Sequence, residues 1–243
     1  MRTNAIAFAL SVAFFAHPLM ALAQEAAVET EEETSNLSWN LTLTSDYVFR
    51  GISQTSENPA LQGGLDYAFG ESGFYTGVWA SNVDFDDSDG PNIELDGTAG
   101  WGMSLSDDWS LDLHFVRYFY FGENSAYGSI DYNEYFISTS FREMLTFTAA
   151  YADDYSNSGV SSQYYAVDGS WDVGHEFNLS AGLGYSKFSE GTGDYTDWSL
   201  GLSRQFGPVE IDLTYHDTDG SYVDEFYPDG ASNAVVLSFN FGG

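Results

Sequence analysis

From Asn36 to its end this chain reads in steps of two. In Leu111-Asp112-Leu113-His114-Phe115 the odd positions are apolar and the even ones polar. Val209-Glu210-Ile211-Asp212-Leu213-Thr214-Tyr215-His216 repeats the pattern, as do Leu179 to Tyr185 and Val235 to Phe241. Successive side chains of a strand point to opposite faces, so each segment has one apolar and one polar face. No convincing stretch carries the i, i+3, i+4 spacing of an amphipathic helix. About twelve such segments follow one another, at 37–51, 60–69, 73–84, 92–103, 109–120, 131–141, 144–153, 162–172, 176–187, 194–205, 208–217 and 232–241. Most run to roughly 9–12 residues, the length a tilted strand needs to cross a bilayer.

The connections between segments sort by length. Short ones, such as Gly70-Glu71-Ser72, Arg142-Glu143 and Phe206-Gly207, alternate with long polar ones at 52–59, 85–91, 121–130, 154–161, 189–195 and 218–231. Tight turns at one end and long loops at the other describe an all-β, transmembrane, antiparallel up-and-down barrel of about twelve strands, with turns in the periplasm and loops outside. A β-sandwich buries its apolar faces between two sheets and has no need to sort its connections by length. Aromatics cluster near strand ends on the apolar parity: Trp39, Tyr47, Phe49, Trp109, Tyr185, Trp198, Phe239 and Phe241. Those are the positions of interfacial girdles.

Composition closes off other classes. Six Lys and Arg face 37 Asp and Glu, a formal net charge of −31, which excludes nucleic-acid binding through a basic patch. Aromatics make up 17% of the residues, too many for a disordered acidic chain. There is no cysteine, hence no disulfide and no thiolate metal site. Residues 1–23 read as a signal peptide: Arg2 leads an apolar run from Ala5 to Phe15, and Ala21-Leu22-Ala23 fits the cleavage pattern. Removing it leaves five basic and 37 acidic residues. Residues 24–35, with five glutamates and no base, read as a flexible acidic periplasmic leader, and 36–243 as the outer-membrane barrel.

With the apolar parity given to lipid, the inward set holds Asp46, Arg50, Asp66, Glu94, Asp96, Asp112, His114, Glu134, Asp168, Asp197, Glu210, Asp212 and His216. That is ten carboxylates, two histidines and one arginine. A lumen with this bias favours cations over anions. Twelve strands enclose a narrow interior, which inward Tyr118, Tyr132, Tyr164 and Tyr195 narrow further. The expected function is a porin or channel passing ions or small solutes through an acidic, cation-preferring lumen. A structural or adhesive barrel acting through its acidic outer loops is the alternative. A barrel hydrolase is a third reading, since Asp112/His114 and Asp212/His216 share a face, but no nucleophile motif accompanies them. No cofactor and no dedicated metal site are expected. The acidic stretch 84–94 departs from the EF-hand pattern, with Asp89 where the glycine belongs. The expected partners are outer-membrane lipid and lipopolysaccharide, bridged by divalent cations, together with the barrel-assembly machinery and small permeants. Two bases break the simple pattern. Arg204 sits outward near a periplasmic strand end, where it can snorkel. Arg117 breaks parity near an outer end, which a bulge or a lipopolysaccharide phosphate would explain.

One motif carries a family resemblance. "SDYVFRGISQT" at 45–55 resembles the opening signature of the TorF family of bacterial porins. The likeness continues in "GVWASNVDF" at 77–85, in Glu94-x-Asp96, in "RYFYFG" at 117–122 and in Tyr132-x-Glu134-Tyr135. It departs at Phe121, where the family pattern has proline, and at Gly242-Gly243, which follow the C-terminal aromatic Phe241. The resemblance implies an outer-membrane barrel and a pore, with no substrate and no catalytic residue attached. Within the motif, Tyr47 and Phe49 are expected in the outer girdle of the first strand. Arg50 is expected as a counter-charge near the outer mouth, paired with Asp46, Glu94 or Asp96.

Overall fold

The computed structural model describes residues 36–85, 88–124, 127–189, 193–219 and 233–243. The expected signal peptide and acidic leader, and most of the loop at 218–231, lie outside the described residues. The rest is a closed barrel of twelve antiparallel strands with one-turn 3-10 segments at Gly70–Ser72 and Tyr155–Asn157.

In chain order the strands are β1 Leu37–Thr44, β2 Val48–Phe49, β3 Ile52–Ser53, β4 Ala60–Ala68, β5 Phe74–Asn82, β6 Ile93–Ser104 and β7 Trp109–Phe121. They continue with β8 Tyr132–Phe141, β9 Leu145–Ala152, β10 Ser162–Gly174, β11 Phe177–Phe188, β12 Tyr195–Phe206, β13 Val209–Thr218 and β14 Ala234–Gly242. Each wall strand pairs with its sequence neighbour, and β1 closes the ring by pairing with both β14 and β4. The short β2 and β3 are outside the wall and pair only with each other. The two-residue turns Arg142-Glu143 and His175-Glu176 have positive φ throughout, the backbone twist that tight hairpins need.

The expected spans from 60 onward agree with the wall strands to within two residues at each end. The first does not. It was expected to run from 37 to 51, and the wall strand stops at Thr44.

The barrel is inside-out relative to a soluble protein. The most deeply buried side chains are polar, among them Gln62, Glu94, Glu134 and Thr44, while Leu43, Leu61, Leu183, Leu200 and Leu213 are about half exposed on the outer face. An apolar exterior of this extent is stable only against hydrocarbon. Aromatics flank the leucines at both ends. Trp39, Phe69, Phe74, Trp109 and Phe206 lie at the turn end, and Tyr135, Tyr151, Tyr165, Tyr185 and Tyr215 at the loop end. On β5 the parity is now plain: Tyr75, Gly77, Trp79 and Ser81 face inward. Arg117 points outward in unbroken register, so no bulge turns it in. It donates to Asn133 at 3.2 Å and lies 3.7 Å from Asp131.

Candidate functional site: a hairpin seated in the barrel mouth

After Thr44 the chain leaves the wall. Ser45 still exchanges bonds with Leu237 of β14, and the following residues fold into the barrel. Val48-Phe49 and Ile52-Ser53, three of the four β-branched or aromatic, flank Arg50-Gly51. Both turn residues have positive φ, 50° and 78°, which makes a two-residue hairpin. Gly51 meets a second demand, because a Cβ there would lie 2.5 Å from Thr218 Cγ2 and 2.9 Å from Asp197 Cβ. The tip of the hairpin therefore touches β12 and β13, while its legs spring from β1 and β4.

Asp46 ties the two legs together. Its Oδ1 accepts from Ser53 Oγ at 2.6 Å and from Thr55 Oγ1 at 2.8 Å, and Thr55 Oγ1 in turn accepts from the Tyr47 amide at 3.1 Å. Burial raises the Asp46 carboxyl above its ordinary range, opposed by those two hydroxyl donors. Tyr47 reaches β6, donating to Glu94 Oε1 at 3.0 Å, and packs edge-on against Trp79 of β5 at 5.4 Å.

Arg50 crosses to the far wall. Its Nη2 donates to Glu134 Oε1 of β8 at 2.9 Å, and both side chains are almost wholly buried, 4% and 0% exposed. The guanidinium lies 4.0 Å from the ring centroid of Tyr164 on β10 and 4.7 Å from that of Phe49. Tyr118 donates to the other oxygen of Glu134 at 3.3 Å and stacks on Tyr132 at 4.4 Å. Tyr164 donates to Asp197 at 3.2 Å. Together with Tyr120, Val116 and Phe136 these side chains form one packed cluster that fills the outer half of the barrel.

This corrects two expectations. Tyr47 is 4% exposed inside the lumen and Phe49 packs beside it, so neither belongs to the lipid girdle. Arg50 pairs with Glu134, not with Asp46, Glu94 or Asp96. The physical reason is the hairpin: two residues of left-handed backbone turn a strand-like alternation back on itself inside the barrel.

The remaining inward residues are placed as the parity implied. Asp66, Glu94, Asp96, Asp112, His114, Asp168, Asp197, Glu210, Asp212 and His216 all lie on inward positions of their strands. Some are brought together. Asp112 Oδ1 is 2.6 Å from His114 Nδ1, and its Oδ2 accepts from Tyr75 at 2.9 Å; Gly100 leaves room for the Tyr75 ring. Asp212 accepts from Thr214 and makes no bond to His216. Glu210 accepts from Asn240 at 3.4 Å, and Asn240 accepts from Thr42 at 2.8 Å, a chain that links β13, β14 and β1 at the closure of the ring. Tyr75, Trp79 and Tyr120 are lumen residues that the sequence reading did not single out.

The turn end differs. Inward Asp168 and Asp172 of β10 are exposed, and Asp66, Ser110, Asp112, Ser140, Thr146, Ser170 and Ser180 are partly so. Small side chains leave a solvent-accessible acidic vestibule below the packed outer cluster. Among the described residues no cluster of three or more acids and histidines is arranged to hold a metal ion.

The chain matches a sequence family across residues 29–238, nearly the whole of the barrel. It belongs to the Gcw_chp family. That family is described as bacterial proteins of unknown function. No curated protein matches this Gcw_chp chain. Among solved structures it is similar to the NanC porin, at 13% identity and a TM-score of 0.49 over 85% of this chain and 97% of that one. The KdgM porin in complex with disordered oligogalacturonate follows, at 8% identity and 0.46 over 85% and 95%. OprD from Pseudomonas aeruginosa aligns at 15% identity and 0.41 over 87% and 66%.

Proposed function

We propose that this protein is an outer-membrane channel for ions or small solutes, with an acidic, cation-preferring lumen that the hairpin at 45–59 restricts at its outer mouth. The observation that carries this reading is the pairing of a wetted, carboxylate-lined vestibule with a plug made from a loop and not from the wall. A barrel meant only as a scaffold has no need to place nine wall carboxylates inward. Carboxylates lining a pore lower the energy of a cation within it and raise that of an anion. A loop seated by side chains can leave, whereas a wall strand cannot. Export through a cleaved signal peptide at 1–23, assembly by the barrel machinery and divalent bridging from the outer loops to lipopolysaccharide belong to the same proposal.

Planar-bilayer recording under a salt gradient tests it. The expected result is a small, flickering current whose reversal potential has the sign of cation selectivity. An anion-selective reversal potential would sink the charge argument. The sealed outer half also favours a second reading, a structural or adhesive barrel acting through its loops. Silence from both the native chain and a chain whose hairpin is replaced by a short Gly-Ser connection would leave that second reading standing.

A further inference from the structure

The pocket that holds Arg50 has the composition of a receptor for an organic cation. Its floor is the Glu134 carboxylate, wholly buried on β8 and held on its second oxygen by Tyr118. One wall is the face of Tyr164, 4.0 Å from the guanidinium carbon and oriented by its bond to Asp197. A cation over an aromatic face beside a desolvated carboxylate gains from both, and a weakly hydrated guanidinium also stacks flat on the ring, which a strongly hydrated inorganic ion does not. We propose that this cage binds solutes bearing a guanidinium or primary ammonium group, and that Arg50 is its built-in occupant, displaced when such a solute enters.

Three observations support displacement. Arg50 stands in left-handed backbone at φ 50°, a conformation that non-glycine residues adopt at a cost. Its buried Nε makes no hydrogen bond, so the tethered guanidinium uses only part of its donor fork. Free of the backbone, a solute guanidinium can turn to use more. The tip of the hairpin has no backbone ladder to the barrel wall; β2 and β3 pair only with each other. Glu134 left without Arg50 would be a buried unpaired charge, which makes exchange of one cation for another the low-energy route. The proposal rests on the channel reading only for its consequence, passage of the solute. The binding site stands apart from it.

The test uses the full chain folded in detergent and in bilayers, with methylguanidinium as probe and urea as its neutral isostere. Arg50→Gly empties the cage and suits the turn. If it does not give a heat-modifiable barrel, Arg50→Asn, which left-handed backbone also admits, takes its place. Millimolar methylguanidinium is expected to raise the thermal midpoint of the Arg50 variant, with urea doing nothing and the added Glu134→Gln abolishing the rise. The native chain is expected to need about tenfold more probe for half effect, if Arg50 fills the cage some nine-tenths of the time. No rise in the variant, or an equal rise with urea, overturns the proposal whether or not the protein conducts. A rise without any current from native or variant chains upholds the cage and removes the channel reading. A rise with saturable block of the variant's current supports both.

Discussion

The two halves of the lumen use the same parity and opposite sizes of side chain. At the loop end, β7 presents Val116, Tyr118 and Tyr120 inward, and β8 presents Tyr132, Glu134 and Phe136. At the turn end, the inward residues of the same strands are Ser110 and Asp112, then Ser138 and Ser140. The aromatic half is packed with buried side chains, with the hairpin as its last piece. The half built from small residues stays wet, and inward Asp168 is exposed there. Charge therefore has different consequences at the two ends. Asp66, Asp112, Asp168 and Asp172 in the wet half are exposed or partly so and free to act on passing ions, while Glu210 and Asp212 of β13 are buried against the wall. In the filled half a carboxylate must have a partner, and Glu134 has Arg50 and Tyr118.

The largest break in this contrast comes from removing that partner's anchor. Glu134→Ala strands the Arg50 charge among Tyr164, Phe49 and Tyr118, and losing one member of a buried pair costs about 3–5 kcal/mol. The barrel wall survives because its ladder is untouched, so the expected outcome is release of the hairpin. Single-channel current should rise several-fold and proteases should cut between Tyr47 and Gln54. An unchanged current with a lower unfolding midpoint would mean that the hairpin stays seated and the pair only braces it. Comparable in stability cost, but without stranding a buried charge, is Asp46→Ala. It removes the acceptor for Ser53 and Thr55, each such charge-assisted bond being worth about 1.5–3 kcal/mol. The hairpin should open from its legs, and protease accessibility should rise before any fall in the midpoint of the whole barrel.

Gly51→Ala comes third. A methyl group at φ 78° costs about 1–2 kcal/mol of backbone energy and also meets Thr218 and Asp197. It should lift the tip off β12 and β13 without touching the Arg50–Glu134 pair directly. A current between the native and Glu134→Ala values is expected. A native-like current would show that tip contact with the far wall does not hold the plug.

Most of this architecture could be read before any coordinates. Wall parity follows from alternation, and it placed the acids of β6, β7, β12 and β13 inward because a one-residue slip would expose them to lipid. The failure at residues 45–51 has a physical cause. Ser45-Asp46-Tyr47-Val48-Phe49 alternates like a strand, and a hairpin leg inside a barrel alternates too. What distinguishes them is the turn. Val-Phe, Arg-Gly, Ile-Ser is two apolar-rich pairs around an X-Gly dipeptide, the pattern of a two-residue hairpin, and it was legible. The pairing of Arg50 with Glu134 was not. It joins residues 84 apart through a loop whose direction only the tertiary structure sets. Tyr75, Trp79 and Tyr120 were missed for a simpler reason: aromatics suit either face of a barrel.

The smallest expected effect sharpens the contrast by its size. Tyr75→Phe removes a single hydroxyl that donates to Asp112 at 2.9 Å. Tyr75 is buried, as Tyr118 is, so burial of the phenol alone would predict equal penalties for the two. Their acceptors differ. Glu134 is wholly buried, and the Asp112 side chain is 25% exposed in the vestibule and still holds His114 at 2.6 Å. Water can take the place of the lost phenol on Asp112 but cannot reach Glu134 while the hairpin is seated. Tyr75→Phe should therefore cost less than the about 1.5–3 kcal/mol of a hydrogen bond to a charged group, with no change in current. Tyr118→Phe should cost more and should raise the current, because it weakens the carboxylate that anchors Arg50. Equal penalties, measured by denaturant unfolding of the two variants in detergent, would mean that the lower half is as dry as the upper one and that the vestibule does not hold water.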